Sequence, residues 1–212
     1  MRHQLHGLAI VLLITVIPAA VGAAASAPAN APAQVSAGFL EQPFKRAESY
    51  FRNGQRRLAA QEIRRAAVIL RAQIPRLPKE AKDDRAALEA SAAELDNLAR
   101  SIAKAGAKQL DQAFARTHYR LARYHQRLAA AAWSKKEFAE AGANLQHAAM
   151  HLSRAAAWES HRLDPARQAA ARDARLVGAQ LRKGTAVAAT KVGPVIKRLG
   201  EEIEALGRKL RK

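Results

Sequence analysis

The chain has 212 residues, with 36 Lys plus Arg against 18 Asp plus Glu, a formal net charge of +18 and no cysteine. The missing cysteines exclude disulfides, cysteine nucleophiles and thiolate metal sites. Hydrophobic residues make up 49% of the chain but aromatic residues only 5%, so alanine and leucine must do most of the packing. Because alanine loses no side-chain entropy in a helix, this composition predicts an all-α protein with one domain.

The N-terminus has the pattern of a secretory signal. A basic start at Arg2 precedes the apolar run from Leu8 to Ile17, and small residues follow up to Ala25. We therefore expect a signal peptide over residues 1–25 and a protein released into the periplasm or secreted. An uncleaved anchor is the alternative, since residues 7–25 carry no charge and are long enough to span a membrane. The weakly apolar second half favours cleavage, after which no transmembrane span is expected.

Residues 26–43 are rich in Ala and Pro and predict a flexible tether, with Phe39 and Leu40 able to dock on the folded part. Residues 44–183 predict a single bundle of five to six amphipathic helices. The first hairpin turns at Gly54, and a shift in the seven-residue apolar spacing predicts a break near Gly106. Asp83 or Asp84 is expected to cap the helix that precedes this break.

Capping signals divide the second half of the bundle. Ser134 and Glu137 have the spacing of a capping box, and Trp133 and Phe138 that of a hydrophobic staple, which together predict a helix start at Lys135. Asp164 and Pro165 predict another start, and Gly184 an end. Residues 184–193 read as a linker and residues 194–212 as a basic amphipathic helix, expected to pack on the bundle rather than on a membrane.

A faint internal repeat relates residues 51–70 to residues 133–152 at a constant offset of 82. Phe51 matches Trp133, Ile63 matches Leu145, and Leu70 matches Leu152. The pattern resembles the second half of a tetratricopeptide-type helix pair, but it departs from that family's period of about 34 residues. The resemblance implies two similarly packed helical hairpins, tetratricopeptide-like at most.

Histidines are the candidate metal ligands. His147 and His151 are four residues apart and His118 and His125 are seven apart, so each pair shares one helix face. The two helices are expected to be antiparallel neighbours that bring the pairs to similar depth. A copper, zinc or haem site is therefore one hypothesis. Against it, the pairs flank the apolar seam, arginines crowd them, and no carboxylate is placed to support a bound histidine.

Basic side chains form the second candidate site. Arginines repeat at intervals of four, three and four to give a stripe on one helix face, and others crowd an earlier helix. The predicted basic face comprises Arg116, Arg120, Arg123, Arg127, Arg56, Arg57 and Arg64. Such a face suits an anionic partner.

The sequence favours a non-catalytic protein. It has no Gly-rich phosphate loop and no nucleophile motif, and its carboxylates are scattered. The leading hypothesis is an exported helical binding protein that contacts an anionic envelope surface or a partner protein through its arginines, with no cofactor. Export argues against nucleic acid, and the alanine-rich seams leave a homo-oligomer open. The alternative is a metal- or haem-binding bundle that uses the four histidines.

Overall fold

A computed structural model describes residues 38–160, 164–184 and 189–211. The expected signal peptide and most of the expected tether lie outside these residues. In the described ranges the chain forms seven α-helices, one 3-10 turn at Ile74–Arg76 and no strand, so the all-α prediction is confirmed. The helices are α1 Glu41–Arg52, α2 Arg56–Gln73, α3 Lys82–Ser101, α4 Ala107–Ser134, α5 Phe138–Ser160, α6 Pro165–Arg182 and α7 Ala189–Leu210.

The long helix α4 joins two hydrophobic cores. The first core lies between α1, α2, α3 and α4, and centres on Phe44, Leu88 and Phe114. The second lies between α4, α5, α6 and α7, and consists largely of alanines with Leu145 and Leu199. Each helix packs against the next along the chain, and α7 also returns to α4 and α5. None of the described helices combines the length and hydropathy needed to span a membrane.

Several predicted boundaries are confirmed. Gly54 has a positive φ of 73° in the turn after α1, and Gly106 is the N-cap of α4, with its N–H donating to Gln109 Oε1 at 2.9 Å. Asp164 caps α6 by accepting from the Arg167 N–H at 3.0 Å. Phe39 and Leu40 pack against the first core as expected.

The predicted capping box at Ser134 is wrong. Helix α4 continues through this residue, and the Ser134 hydroxyl donates back to Ala131 O at 2.8 Å. The chain reverses instead at Lys136, which has a φ of 62°, and α5 begins at Phe138. The staple contact forms nonetheless, because the Trp133 and Phe138 ring centroids are 5.3 Å apart.

Two other helix starts differ from the expectation. Ala81, not Asp83 or Asp84, is the N-cap of α3, and Asp84 instead pairs with Arg127 of α4. Helix α7 begins at Ala189 and contains Pro194. Val192 is fully buried in the second core, so its burial offsets the one helical hydrogen bond that proline cannot make.

The internal repeat extends to the backbone. In the turn after α1, Asn53, Gly54 and Gln55 donate to Ser49, Phe51 and Tyr50; 82 residues later Lys135, Lys136 and Glu137 donate to Ala131, Trp133 and Ala132. The same offset carries the start of α4 at Ala107 onto the start of α7 at Ala189. It also carries α2 onto α5 and α3 onto α6 to within a residue at their starts. The chain is therefore built on a repeated three-helix unit of about 82 residues.

Candidate functional site

The structure brings all four predicted histidines together between α4 and α5. His118, His125 and His151 are no more than 1% exposed, and His147 is half-buried. The expected pairing by depth is confirmed, since His118 lies against His151 and His125 against His147. The expectation that the pairs merely flank the apolar seam is wrong for three of the four rings, which are part of the packed interior. We call these four residues the histidine cluster.

Hydrogen bonds link the cluster from ring to ring. The Nδ1 atoms of His118 and His151 are 3.0 Å apart, so one ring donates its proton to the other. His125 donates from Nδ1 to Asn144 Oδ1 at 2.9 Å, and Asn144 in turn donates to Glu140 O at 3.1 Å. The Asn144 bond leaves the His125 Nε2 without a proton, as a free acceptor.

Asn144 is a residue that the sequence analysis missed. It lies three residues before His147 and seven before His151, so the same helical spacing places it on the histidine face of α5. The expected weakness of the site was the lack of a carboxylate to hold a histidine. An amide oxygen serves this purpose here, since a carbonyl acceptor fixes the tautomer of an imidazole as a carboxylate does.

Ring packing holds the cluster in place. His151 stacks on His125 with centroids 5.6 Å apart and planes 9° apart, and His147 meets His125 edge-on at 4.9 Å. On the other side the edge of His118 faces Phe44, which itself stacks on Phe114 at 3.9 Å.

The surroundings keep the cluster neutral. Burial lowers the pKa of His118 to about 3, with a smaller contribution from the Arg154 guanidinium. Burial also lowers the pKa of His125 to about 4, although its bond to Asn144 opposes this. The pKa of His151 is lowered well below its ordinary value by burial and by the neighbouring imidazoles, and that of His147 is lowered by partial burial and Arg182.

Four ring nitrogens of the cluster are buried and have no hydrogen-bond partner. They are the Nε2 atoms of His118, His125 and His151 and the Nδ1 atom of His147. An unpaired buried polar group typically costs about 1–3 kcal/mol. The described residues nevertheless include no three His, Asp or Glu side chains already placed around one point to hold a metal ion.

The arginine stripe on α4 is not a free basic surface. Arg116 and Arg120 both pair with Glu94 of α3, Arg123 pairs with Glu204 of α7 at 3.2 Å, and Arg127 pairs with Asp84. Arg120 also donates to the buried Ser91 hydroxyl at 2.7 Å. These four arginines connect α4 to the neighbouring helices. Spacing within one helix cannot reveal this, because the partner carboxylates come from other helices.

The predicted arginines of α2 fall into two groups. The Arg56 guanidinium lies 3.5 Å above the Phe51 ring centroid and donates to Phe51 O at 2.8 Å, so it is engaged within the fold. Arg57 and Arg64 are exposed, as is Arg65 beside them. Within the described part of the chain these three have no ion-pair partner.

The outer face of α2 also presents apolar side chains. Val68 is 62% exposed and Leu58 is 38% exposed. The one acid in the helix, Glu62, is half-buried and pairs with Arg46 of α1 at 3.0 Å. The result is a surface of arginines and aliphatic groups without a carboxylate. We call Arg57, Leu58, Arg64, Arg65 and Val68 the α2 face.

None of the protein families, curated proteins or solved structures compared with this chain matches it.

Proposed function

We propose that the protein is a non-catalytic helical binding protein that docks on a phosphate-bearing anionic surface of the cell envelope through the α2 face. Export by the N-terminal segment, and release into the periplasm or the medium, belong to the same proposal. The observation that carries it is that Arg57, Arg64 and Arg65 are exposed together on one helix and lack an ion-pair partner in the described structure.

The charge pattern favours a surface over a small ligand. Three guanidiniums on the outside of a helix form no enclosed pocket, but each can reach a different phosphate on a flat array. Near an anionic bilayer each basic side chain contributes about 1 kcal/mol. Leu58 and Val68 lie among the arginines and can bury aliphatic surface at the headgroup boundary.

The α4 stripe has a structural role in this proposal. Its arginines are committed to carboxylates of α3 and α7, so their release for binding would leave those acids unpaired. The histidine cluster is likewise internal and offers no face to a partner. The α2 face is therefore the basic surface that remains available.

The test is co-sedimentation of the purified protein with phosphatidylcholine vesicles that contain or lack phosphatidylglycerol, at low and at high salt. We expect binding only to the anionic vesicles, weakened by salt because the attraction is screened. Changing Arg57, Arg64 and Arg65 together to Gln is expected to weaken binding about 100-fold, the loss of about 3 kcal/mol.

The matched control removes three positive charges elsewhere, by changing Lys183, Lys191 and Lys209 to Gln. These lysines are exposed and lie on the turn after α6 and on α7. If both triple variants lose binding equally, net charge rather than the α2 face is responsible. Vesicle binding that ignores all six changes would refute the proposal.

A further inference from the structure

The histidine cluster is not required by the fold that contains it. At the offset of 82 residues, His147 and His151 of α5 correspond to Arg65 and Ile69 of α2, and His118 and His125 of α4 correspond to Gly200 and Gly207 of α7. Around them the packing positions keep their character: Leu110, Leu121 and Leu145 correspond to the buried Val192, Ile203 and Ile63. The repeated unit therefore folds with other residues at the histidine positions.

The cluster contains neutral imidazoles with lone pairs available. In each neutral ring one nitrogen is an acceptor, and Nε2 of His125 is such an acceptor because its Nδ1 donates to Asn144. The three Nε2 atoms of His118, His125 and His151 are buried without a protein partner. Neutral imidazole with its second nitrogen held by a carbonyl oxygen is the form in which histidine binds metals.

We propose that the histidine cluster binds one transition-metal ion of the zinc, copper or nickel class, with His118 and His151 as ligands through Nδ1 and His125 as the third ligand. This site is independent of the α2 face. Imidazole nitrogens suit these ions, whereas magnesium and calcium prefer oxygen ligands.

The spacing of the two Nδ1 atoms suits a shared ion. They are 3.0 Å apart, and an ion about 2.05 Å from each would hold them at an angle of about 95°, which opens to a tetrahedral angle if the pair separates by about 0.3 Å. On binding, the proton shared between the two Nδ1 atoms moves to Nε2 of the ring that carried it. No proton is lost, and both Nδ1 lone pairs then face the ion.

The third ligand requires a movement. Since no three such side chains already surround one point in the described structure, the His125 ring must turn towards the pair on which it stacks. Its stacking on His151 places it beside that pair, and Asn144 keeps its Nδ1 protonated meanwhile. A water molecule or His147, the half-exposed member of the cluster, can complete the shell.

A haem fits this place less well than a single ion. A porphyrin would have to separate α4 from α5, whose alanines, Ala122, Ala129, Ala148 and Ala149 among them, are packed in one core without solvent exposure. An ion needs only the small rearrangement of the rings described above.

The test uses the full chain with His3 and His6 changed to Gln in every protein compared, so that N-terminal imidazoles do not contribute. The protein is stripped with a chelator and titrated with Zn²⁺ against a chromophoric competitor at neutral pH, and native mass spectrometry counts the ions bound. We expect one Zn²⁺ per chain. His118→Gln and His151→Gln should each lower the affinity by more than the about 10–100-fold that loss of a supporting hydrogen bond causes, and Asn144→Ala should fall within that range.

The matched control is Met150→Leu, a change of similar volume between His147 and His151 on α5, which should leave the affinity unchanged. Circular dichroism checks that each variant is folded, and Asn144→Ala retains all four imidazoles should a histidine variant unfold. Absence of stoichiometric Zn²⁺ binding in the parent would overturn the proposal. So would binding that survives both histidine changes, or that depends equally on Met150. Vesicle binding is a separate measurement, so either proposal can fail alone.

Discussion

Gly54 and Lys136 lie 82 residues apart in the sequence and occupy the same position of the same turn, with φ angles of 73° and 62°. Each donates its N–H to the residue three positions before it, at 3.1 and 3.0 Å. Glycine adopts this left-handed conformation freely, whereas a side chain with a Cβ is strained there. One copy of the repeat thus has the residue suited to the turn and the other does not.

Lys136→Gly is therefore expected to stabilise the protein by about 0.5–1 kcal/mol, because it relieves the strain of a non-glycine residue at positive φ. Gly54→Ala is the reciprocal change and should destabilise by about 1 kcal/mol or more. Urea unfolding of the two variants and the parent measures both effects. A loss of stability in Lys136→Gly would show that the Lys136 side chain contributes more than its backbone strain costs.

Helices α5 and α6 cross where two glycines face each other. A Cβ on Gly142 would lie 2.5 Å from Gly178 O, and a Cβ on Gly178 would lie 2.6 Å from Gly142 O. Because the obstruction is backbone, which cannot rotate away, Gly142→Ala and Gly178→Ala should each destabilise by about 1–3 kcal/mol. The double variant should cost less than the sum, since one separation of the helices accommodates both methyl groups.

The control for this crossing is Gly193→Ala. A Cβ at Gly193, inside α7, would meet nothing within 4 Å. Alanine is favoured over glycine in a helix by about 1 kcal/mol, so this change should stabilise. Thermal unfolding of the three single variants gives the comparison, and equal destabilisation of all three would mean that the crossing is not the cause.

The arginines of α4 should affect stability, and those of α2 should not. Asp84 is 7% exposed, and desolvation raises its pKa while Arg127 opposes the rise. Arg127→Ala leaves this buried carboxylate without its partner and should destabilise by about 1–3 kcal/mol. Arg64→Ala removes an exposed arginine without an ion-pair partner and should change stability by less than about 0.5 kcal/mol. Chemical denaturation measures both, and the opposite ranking would contradict the assignment of the stripe to the interior.

Local signals in the sequence located most of the helices but not their contacts. Asp164 with Pro165 and the glycine at 106 mark boundaries because capping depends on a few adjacent residues. Ser134 failed because a positive φ at Lys136 closed the turn in another way, and such a φ is not encoded by a lysine. The stripe on α4 was found, but its partners Glu94 and Asp84 are set by the packing of α3.

The histidine cluster shows the same division. Spacing placed His118, His125, His147 and His151 on facing helix surfaces, and the structure joins them as expected. Their burial did not follow from spacing, since the depth of a position depends on which neighbouring helices cover it. Phe44, which lies at the edge of His118, comes from α1 and is 74 residues away in sequence.

The buried histidines should make the metal-free protein sensitive to mild acid. The pKa of His118 is about 3 and that of His125 about 4 in the folded state, against 6.5 in the unfolded chain. Between these values the unfolded chain takes up protons that the folded protein excludes. The free energy of unfolding is therefore greatest above pH 6.5 and decreases as the pH falls, by up to about 1.4 kcal/mol per pH unit for each histidine.

His118→Gln removes one of these groups. Between pH 7 and pH 5 the variant should lose about 2 kcal/mol less stability than the parent, whatever its stability at neutral pH, since one fewer histidine titrates over that range. Urea unfolding in the presence of a chelator gives the two slopes, and the carboxylates common to both proteins cancel in the difference. Met150→Leu, which changes the same core without a titrating group, should keep the parent's slope. Equal slopes for His118→Gln and the parent would mean that His118 becomes protonated in the folded state as readily as in the unfolded one, contrary to its burial.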